Sequence, residues 1–299
     1  MRLMAPQGRR RNLLLALALL SAPAYGARPR RVEVYGHRGA RARRPENTVP
    51  GFEYAVGIGV DVLELDVRVT RDSRLLVSHE PRPDVHLCLG PNGEALKSPP
   101  LFMEMTLEQV AGYDCGTLRN PKFPKQRPVP GTRIPTLGEV FEAVSRMDVP
   151  AAKTVRFYIE LKSLPELPRE SPPPEELARL VVEELRRRGM LARVVLQSID
   201  YRTLRAARAL EPTVKIAALS RNFLEDLPKT AAELKADDIA PYRRLVSERL
   251  VEAVHKAGAR VVVWTVDEPE EWGALLRDKV DGIITDDPEA LIGYLGTHP

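Results

Sequence analysis

The sequence has few cysteines, few histidines and few aromatic residues. Its 299 residues include 2 Cys, 5 His and 2 Trp, and aromatic side chains make up 5% of the chain. Two cysteines, Cys88 and Cys115, are too few for a disulfide scaffold. They allow one bridge in an oxidising compartment, and two buried thiols are the alternative. The apolar run Leu13–Leu20 is too short to span a bilayer comfortably as a helix.

The amino-terminal segment has the three parts of a secretory signal. Arg9, Arg10 and Arg11 precede the apolar run, and Ala24-Tyr25-Gly26 provides a small-x-small cleavage site. We therefore predict a signal peptide over residues 1–26 and an exported protein, either periplasmic or secreted. An uncleaved membrane anchor is the alternative.

The formal net charge of +4 comes from this same segment. Residues 1–26 contain four arginines and no acidic residue, so their removal leaves a mature chain without formal net charge. A neutral chain lacks the overall electrostatic signature of nucleic-acid binding. We therefore expect no nucleic-acid partner, and the oligomeric state stays open.

Short β-branched runs alternate with helical patterns through residues 27–299, which is typical of a parallel α/β sheet or barrel. One domain with a single core suits this length and the 43% hydrophobic content. The number of candidate strands is about what a closed barrel needs. They are Val32–Tyr35, Val62–Val67, Leu75–Ser78, Arg156–Leu161, Arg193–Leu196, Val214–Ala218, Asp238–Ala240, Arg260–Trp264 and Gly282–Ile284.

Several helices have recognisable starts, and two stretches interrupt the alternation. Residues 80–135, after the third strand, are rich in Pro and Gly and read as an insertion; residues 163–174 read as an exposed loop. The predicted helices are Val140–Ser145 after a capping box of Thr136 and Glu139, an amphipathic helix from Pro174 to near Gly189, and Pro269–Leu276 capped by Asp267.

Two acidic residues lie on one face of a predicted strand. Glu64 and Asp66 are two residues apart, so their side chains project together while the apolar residues between and beside them face the other way. Buried like charges need a positive partner, and carboxylate oxygens suit Mg²⁺ or Ca²⁺. The alternative is a salt bridge of each carboxylate to an arginine such as Arg68.

A second strand repeats this arrangement with one acid and one base. Glu160 and Lys162 share a face at the end of Arg156–Leu161. At the mouth of a barrel, this pair would add one carboxylate to the acidic cluster and one cation for a phosphate oxygen. A strand-end ion pair without further role is the alternative.

Two of the five histidines, His37 and His79, follow predicted strands directly. The segment between Asp66 and His79 is too short for a crossover helix, so we predict a tight turn around Arg71-Asp72-Ser73. Such a turn would place Asp66 opposite Ser78 and His79 beside the carboxylates. Either histidine alone could be a core or loop residue, but two that converge on three carboxylates indicate catalysis.

Spaced blocks of this sequence resemble the signature of the glycerophosphodiester phosphodiesterase family. The resemblance covers the chain from about Val32 to Ile292. The first blocks are His37-Arg38-Gly39, Pro45-Glu46-Asn47-Thr48, Phe52, Glu64-Leu65-Asp66, Thr70-Arg71-Asp72 and Val77-Ser78-His79-Glu80. Further blocks are Tyr113-Asp114-Cys115-Gly116, Arg133-Ile134-Pro135-Thr136-Leu137, Ile159-Glu160-Leu161-Lys162, Val263-Trp264-Thr265-Val266 and Asp281-Gly282-Ile283-Ile284-Thr285-Asp286. Pro50-Gly51 and Glu80 depart mildly from the family pattern.

This resemblance implies a TIM-like (β/α)8 barrel and a hydrolase that splits glycerophosphodiesters into glycerol 3-phosphate and an alcohol. It implies a role for each site residue. These are His37 and His79 as the acid/base pair, Glu64, Asp66 and Glu160 as ligands of Mg²⁺ or Ca²⁺, Arg38 and Lys162 as phosphate contacts, Glu46 and Asn47 as residues that order the site, and Gln197 and Trp264 as pocket residues. Asn47 could instead cap the next helix, and Trp264 could serve packing alone.

Two rival functions remain open from the sequence. The first is hydrolysis of lysophospholipids or other lipid phosphodiesters, as in phospholipase D-like relatives, which would bring membrane contact. An apolar groove in the insertion would favour it, and Leu101-Phe102-Met103 is the hint for such a groove. The second rival is a non-catalytic exported binding protein, which the complete set of expected ligands and proton carriers disfavours.

Overall fold

The computed structural model describes Met1 and residues 31–298. The predicted signal peptide thus lies outside the described residues, apart from Met1. Within the described part, no helix combines the length and the apolar character needed to cross a membrane. Among the described residues the strands lie between Glu33 and Thr285, and the chain from residue 31 onward forms one compact unit.

Eight parallel strands close into a barrel, which confirms the predicted fold class. Strand β1 pairs with β9 on one side and with β2 on the other, and this second pairing closes the sheet. The third strand differs, because β3 is the antiparallel hairpin partner of β2 and not a barrel strand. The strands are β1 Glu33–Gly36, β2 Val62–Val69, β3 Leu75–Val77, β4 Arg156–Leu161, β5 Val194–Ser198, β6 Lys215–Ser220, β7 Asp238–Pro241, β8 Arg260–Val263 and β9 Gly282–Thr285.

Helices cover the outside of the barrel. They are α1 Val49–Gly57, α2 Leu107–Val110, α3 Leu137–Arg146, α4 Pro150–Thr154, α5 Pro174–Arg187, α6 Tyr201–Leu210, α7 Leu227–Leu234, α8 Glu248–Lys256, α9 Pro269–Arg277 and α10 Pro288–Thr297. The capping box of Thr136 and Glu139 at α3 is as predicted. The predicted cap of α9 is wrong, since Glu268 is the N-cap residue. Asp267 instead accepts hydrogen bonds from the β9–α10 connection.

Side-chain alternation along the strands produces two apolar layers. Leu63 and Leu65 of β2 point outward into the large core between barrel and helices. Tyr35 and Tyr158 point inward and pack edge-to-face, with ring centroids 5.2 Å apart. Because successive residues of a strand alternate in direction, the acids between these leucines face the barrel interior.

Asp238, at the amino end of β7, is a buried carboxylate whose negative charge is only weakly compensated by a neighbouring cation. Its Oδ1 lies 3.9 Å from Arg260 Nε, and its Oδ2 has no hydrogen-bond partner among residues 31–298. Burial, opposed in part by Arg260, raises the pKa of Asp238 from 3.8 to about 6. The folded protein therefore binds this proton more tightly than the unfolded chain does.

We expect this carboxylate to lower stability as the pH rises. The loss begins near the unfolded pKa of 3.8, is complete above the folded value of about 6, and amounts to about 3 kcal/mol. In Asp238→Asn the corresponding slope of the unfolding free energy should disappear. Urea unfolding across this pH range measures it, with the exposed Asp148→Asn as control. An unchanged slope in Asp238→Asn would contradict the assignment.

Residues 80–135 contain no barrel strand and enclose a small core of their own. Leu101 and Phe102 are buried there, and Phe102 packs in one cluster with Leu76 of β3 and Tyr113. The sequence-based hint of an exposed apolar groove at Leu101-Phe102-Met103 is therefore wrong. Phe102 lies in the small core of the segment and the partly buried Met103 packs against the main core, so the three residues form no exposed apolar groove.

A disulfide joins Cys88 to Cys115, so the alternative of two buried thiols is excluded. The bridge closes a loop with a sequence separation of 27. In the chain-entropy model such a crosslink stabilises a fold by about 3 kcal/mol.

We expect the free energy of unfolding of the double variant Cys88→Ser and Cys115→Ser, measured in urea, to be lower than that of the parent by this amount. Reductant should destabilise the parent protein and leave the double variant unaffected; alkylation of both thiols without reductant would disprove the bridge.

Candidate active site

The loop after β1 turns sharply at the carboxyl end of the barrel. Gly39 has φ +89°, a left-handed conformation, and a Cβ there would lie 2.9 Å from the carbonyl carbon of Gly51. Only glycine adopts this conformation at so close an approach without strain. The turn directs the backbone N–H of Arg38 to Glu64 Oε2, at 3.0 Å. The His-Arg-Gly block is thus a turn that ties β1 to the acids of β2.

Glu64, Asp66 and Glu160 form a buried cluster inside the barrel mouth. Asp66 is directly opposite Glu160 in the β2–β4 register, and one oxygen from each carboxylate lies within 4.8 Å of the others. Burial and the neighbouring Asp66 carboxylate raise the pKa of Glu64 well above its usual value. Three carboxylates that bring hard oxygen donors together are the donor set that Mg²⁺ or Ca²⁺ binds. The residues therefore fit a divalent cation.

Two cations flank this cluster. Lys162 Nζ lies 2.9 Å from Asp66 and 2.8 Å from Glu160, and Arg38 Nε lies 3.4 Å from Asp66. Burial opposes the ionisation of Asp66, but Lys162 and Arg38 hold its pKa well below the usual value. The partners of the carboxylates are thus these two residues and not Arg68, the alternative from the sequence. Arg68 donates to the backbone carbonyl of His79, at 2.8 Å and 3.1 Å.

Two buried amides hold the carboxylates in place. Asn47 Nδ2 donates to Asp66 Oδ2 at 2.8 Å, and Gln197 Nε2 donates to Glu64 Oε1 at 2.8 Å. The oxygen of each amide is buried and has no hydrogen-bond donor in the described part of the chain. The helix-cap alternative for Asn47 is wrong, because Thr48 is the N-cap residue of α1. Gln197 reaches a carboxylate of the cluster, a contact that the sequence did not indicate.

His37 is oriented by Asp286, which sequence reasoning did not single out. The Nδ1–H of His37 donates to Asp286 Oδ1 at 2.5 Å, and Nε2 lies 3.9 Å from Glu64. Arg41 holds the same carboxylate at 2.6 Å. Burial lowers the pKa of His37 to about 4, although Asp286 favours its protonated form. His37 is therefore neutral near pH 7, with Nε2 as an acceptor.

His79 lies at the end of β3 and is more exposed than His37. The predicted turn is present: Val67 pairs with Val77, and Ser78 N donates to Asp66 O at 3.0 Å. The hairpin therefore carries His79 to the carboxylate cluster, as the spacing predicted. Its Nδ1 lies 2.8 Å from Glu80 Oε1, a contact that orients the ring. Glu46 accepts a 2.6 Å hydrogen bond from Arg38 and so helps to position this cation.

One cavity of about 280 Å³ brings these groups together. Its polar wall includes both histidines, the three carboxylates, Arg38, Lys162 and Gln197. Apolar side chains also line the cavity, among them Trp264, Ile199 and Leu219. Trp264 Nε1 donates to the Ala240 carbonyl at 2.8 Å, which fixes the indole in the wall. Arg221 also lines the cavity, a residue that the sequence did not mark.

Comparison with models of known protein families shows to which family the chain belongs. Residues 37–290 match the model of the glycerophosphoryl diester phosphodiesterase family. The chain belongs to this family. The match confirms the resemblance drawn from the spaced blocks, and it makes the protein an enzyme of the phosphoric diester hydrolase class.

Relatives in this family align over most of the chain. A glycerophosphodiester phosphodiesterase from Caldanaerobacter subterraneus is 33% identical over 262 residues, which cover 88% of this chain and 97% of the relative. A crystal structure from Silicibacter pomeroyi, assigned as a glycerophosphoryl diester phosphodiesterase, has 31% identity and a TM-score of 0.84, covering 91% of this chain and 95% of that one.

A more distant family fold comes from Oleispira antarctica. That phosphodiesterase was solved with its product sn-glycerol-3-phosphate, and it aligns with 19% identity and a TM-score of 0.72 over 88% of this chain and 96% of that one. At this identity the likeness shows the fold, and the two solved structures share the barrel fold of this chain.

Proposed function

We propose that the protein hydrolyses glycerophosphodiesters to glycerol 3-phosphate and an alcohol, with a bound divalent cation and two histidines as proton carriers. The observation that carries the proposal is the cavity itself. It joins two histidines, three carboxylates and two cations at the carboxyl end of a family barrel, where catalytic groups of such barrels lie.

Glu64, Asp66 and Glu160 would hold the cation, with Asn47 and Gln197 fixing two of the carboxylates. When bound, the cation would neutralise phosphate oxygens and favour attack at phosphorus. Mg²⁺ and Ca²⁺ both suit an all-oxygen donor set.

His37 acts as the general base. Its Nδ1–H is held by Asp286, so the lone pair of Nε2 faces the cavity and accepts the proton of the attacking oxygen. His79 acts as the general acid and protonates the leaving alkoxide, with its ring oriented by Glu80. With two histidines, one proton is removed by His37 while another is delivered by His79.

Lys162 and Arg38 bind the phosphate. Two of the three N–H donors of Lys162 are directed to Asp66 and Glu160, which leaves one for a phosphate oxygen. Trp264 offers a flat apolar face to the carbon side of the glycerol group. A cavity of about 280 Å³ suits a small polar head group.

The protein would act outside the cytoplasm. The support is the predicted signal in residues 1–26 and the bond between Cys88 and Cys115, which persists in oxidising compartments. Cell fractionation, together with the mass of the exported chain, tests this location.

A product assay tests the activity. The purified chain from residue 27 onward is incubated with glycerophosphocholine or lysophosphatidylcholine, with and without chelator. Choline and glycerol 3-phosphate from glycerophosphocholine, lost on chelation, would support the proposal. Turnover of lysophosphatidylcholine alone would favour the lipid alternative, and tight binding without turnover of either would favour a binding protein.

A further inference from the structure

Two large apolar side chains project from the rim of the active-site mouth. Phe223 is 65% exposed and Leu224 is 95% exposed. They lie in the connection between β6 and α7, at the carboxyl end of the barrel, and Arg221 of the same connection lines the active-site cavity. Single exposed apolar residues are ordinary, but an adjacent pair beside a catalytic cavity indicates a contact surface.

A network of polar contacts holds this loop in its outward conformation. Glu225 accepts hydrogen bonds from the hydroxyls of Tyr201, at 2.8 Å, and Ser220, at 2.5 Å. Asn222 Oδ1 accepts from the backbone N–H of Leu224 at 3.0 Å. The apolar pair is therefore presented on an anchored turn and does not fold back onto the barrel.

The same rim carries a basic segment with unpaired charges. The segment is anchored beside the loop after β1, because Gln126 Nε2 donates to the Arg41 carbonyl at 2.7 Å. Its basic side chains are exposed and form no ion pair with any acid of residues 31–298. They are Arg119, Lys122, Lys125 and Arg127. Since the loops after β1 and β6 both follow carboxyl ends of parallel strands, the cations and the apolar pair belong to one end of the barrel.

We propose that this end of the barrel docks on an anionic lipid surface, with Phe223 and Leu224 inserted among the head groups and the basic segment bound to lipid phosphates. A lipid surface fits better than a protein partner, because two side chains on a turn are far less than the ~800 Å² per partner of a stable protein interface. Apolar side chains inserted at the membrane interface and cations that face anionic lipids both contribute to reversible membrane binding.

Docking would turn the active-site cavity toward the surface. The substrates within reach would then include phosphodiester head groups in the membrane as well as soluble glycerophosphodiesters. This consequence rests on the proposed function, whereas the docking itself does not require turnover.

Vesicle binding tests the docking. The chain from residue 27 onward is sedimented with vesicles of phosphatidylcholine or of equimolar phosphatidylcholine and phosphatidylglycerol. We expect binding to the mixed vesicles, and a loss of at least about tenfold in affinity for Phe223→Ser with Leu224→Ser. The matched control is Leu210→Ser, which removes a leucine 41% exposed at the end of α6, at the opposite end of the barrel. It should bind as the parent does.

A separate variant tests how much the basic segment contributes to vesicle binding. Lys122→Gln with Lys125→Gln should weaken binding to the mixed vesicles by about fivefold for each cation and leave binding to phosphatidylcholine unchanged. A melting curve shows that each variant is folded, whether or not the protein turns over substrate. Equal binding by the parent and the Phe223/Leu224 variant would overturn the proposal. Self-association lost in that variant would overturn it too, because it would assign the pair to a protein contact.

Discussion

Removal of divalent cations is expected to abolish the turnover of glycerophosphodiesters, and Glu64→Gln is expected to do the same at ordinary metal concentrations. The reason is the charge of the cluster: Glu64 lies beside Asp66 and Glu160 inside the barrel, and burial with this repulsion raises its pKa. Lys162 and Arg38 do not neutralise all three carboxylates and the phosphate as well. Several kcal/mol of lost transition-state stabilisation corresponds to at least about 10³-fold in rate.

The matched control is Glu170→Gln, a carboxylate of the β4–α5 connection 4.0 Å from Arg68 and outside the cluster. It should retain turnover. Added Mg²⁺ or Ca²⁺ should restore the chelated parent but not Glu64→Gln, and calorimetric titration should show metal binding in the parent and in Glu170→Gln but not in Glu64→Gln. Full activity after exhaustive chelation would remove the cation from the mechanism.

Replacement of His37 or His79 by Ala is expected to lower turnover by about 10²–10⁴-fold while the fold stays intact. Asp286 positions His37 so that its Nε2 can accept a proton. His79, whose ring Glu80 orients, supplies the second proton carrier in the same cavity. The two losses need not add in a double variant, because both residues serve one reaction coordinate. Turnover at saturating metal, with a melting curve for each variant, is the measurement.

His255→Ala is the control for these variants. His255 also contacts a carboxylate, Asp281, at 2.7 Å, but it lies near the end of α8 and away from the cavity. Its loss should leave turnover unchanged. If a well-folded His79→Ala protein keeps near-normal turnover, His79 is not the acid, even though the family assignment stands.

Local patterns in the sequence were sufficient for the barrel and for the centre of the site. The two-residue period of a strand placed Glu64 and Asp66 on one face, and the short spacing to His79 predicted the hairpin that returns it to Asp66. Both inferences depend on residues close together along the chain, for which backbone geometry leaves few alternatives.

Local patterns in the sequence could not predict the contacts that form only when the barrel closes. Asp286 reaches His37 because β9 pairs with β1, and Gln197 reaches Glu64 across β4. Asp267 was assigned to a helix cap, a local role, but in the closed barrel its carboxylate is used by the neighbouring β9–α10 connection. A polar side chain such as Asp267 has possible hydrogen-bond partners both nearby in the sequence and far from it. The packing of the folded barrel determines which of them it contacts.

The sequence by itself therefore determined the family, the alternation of strands and helices, and the carboxylates and histidines that converge at one end of the barrel. The tertiary structure decided which side chains are buried and which are exposed. Phe102 is buried in the core of the insertion, whereas Phe223 and Leu224 are exposed to solvent beside the cavity. Apolar residues in irregular segments have no period that reveals their direction, so only the packing of the surrounding elements determines whether they meet protein or water.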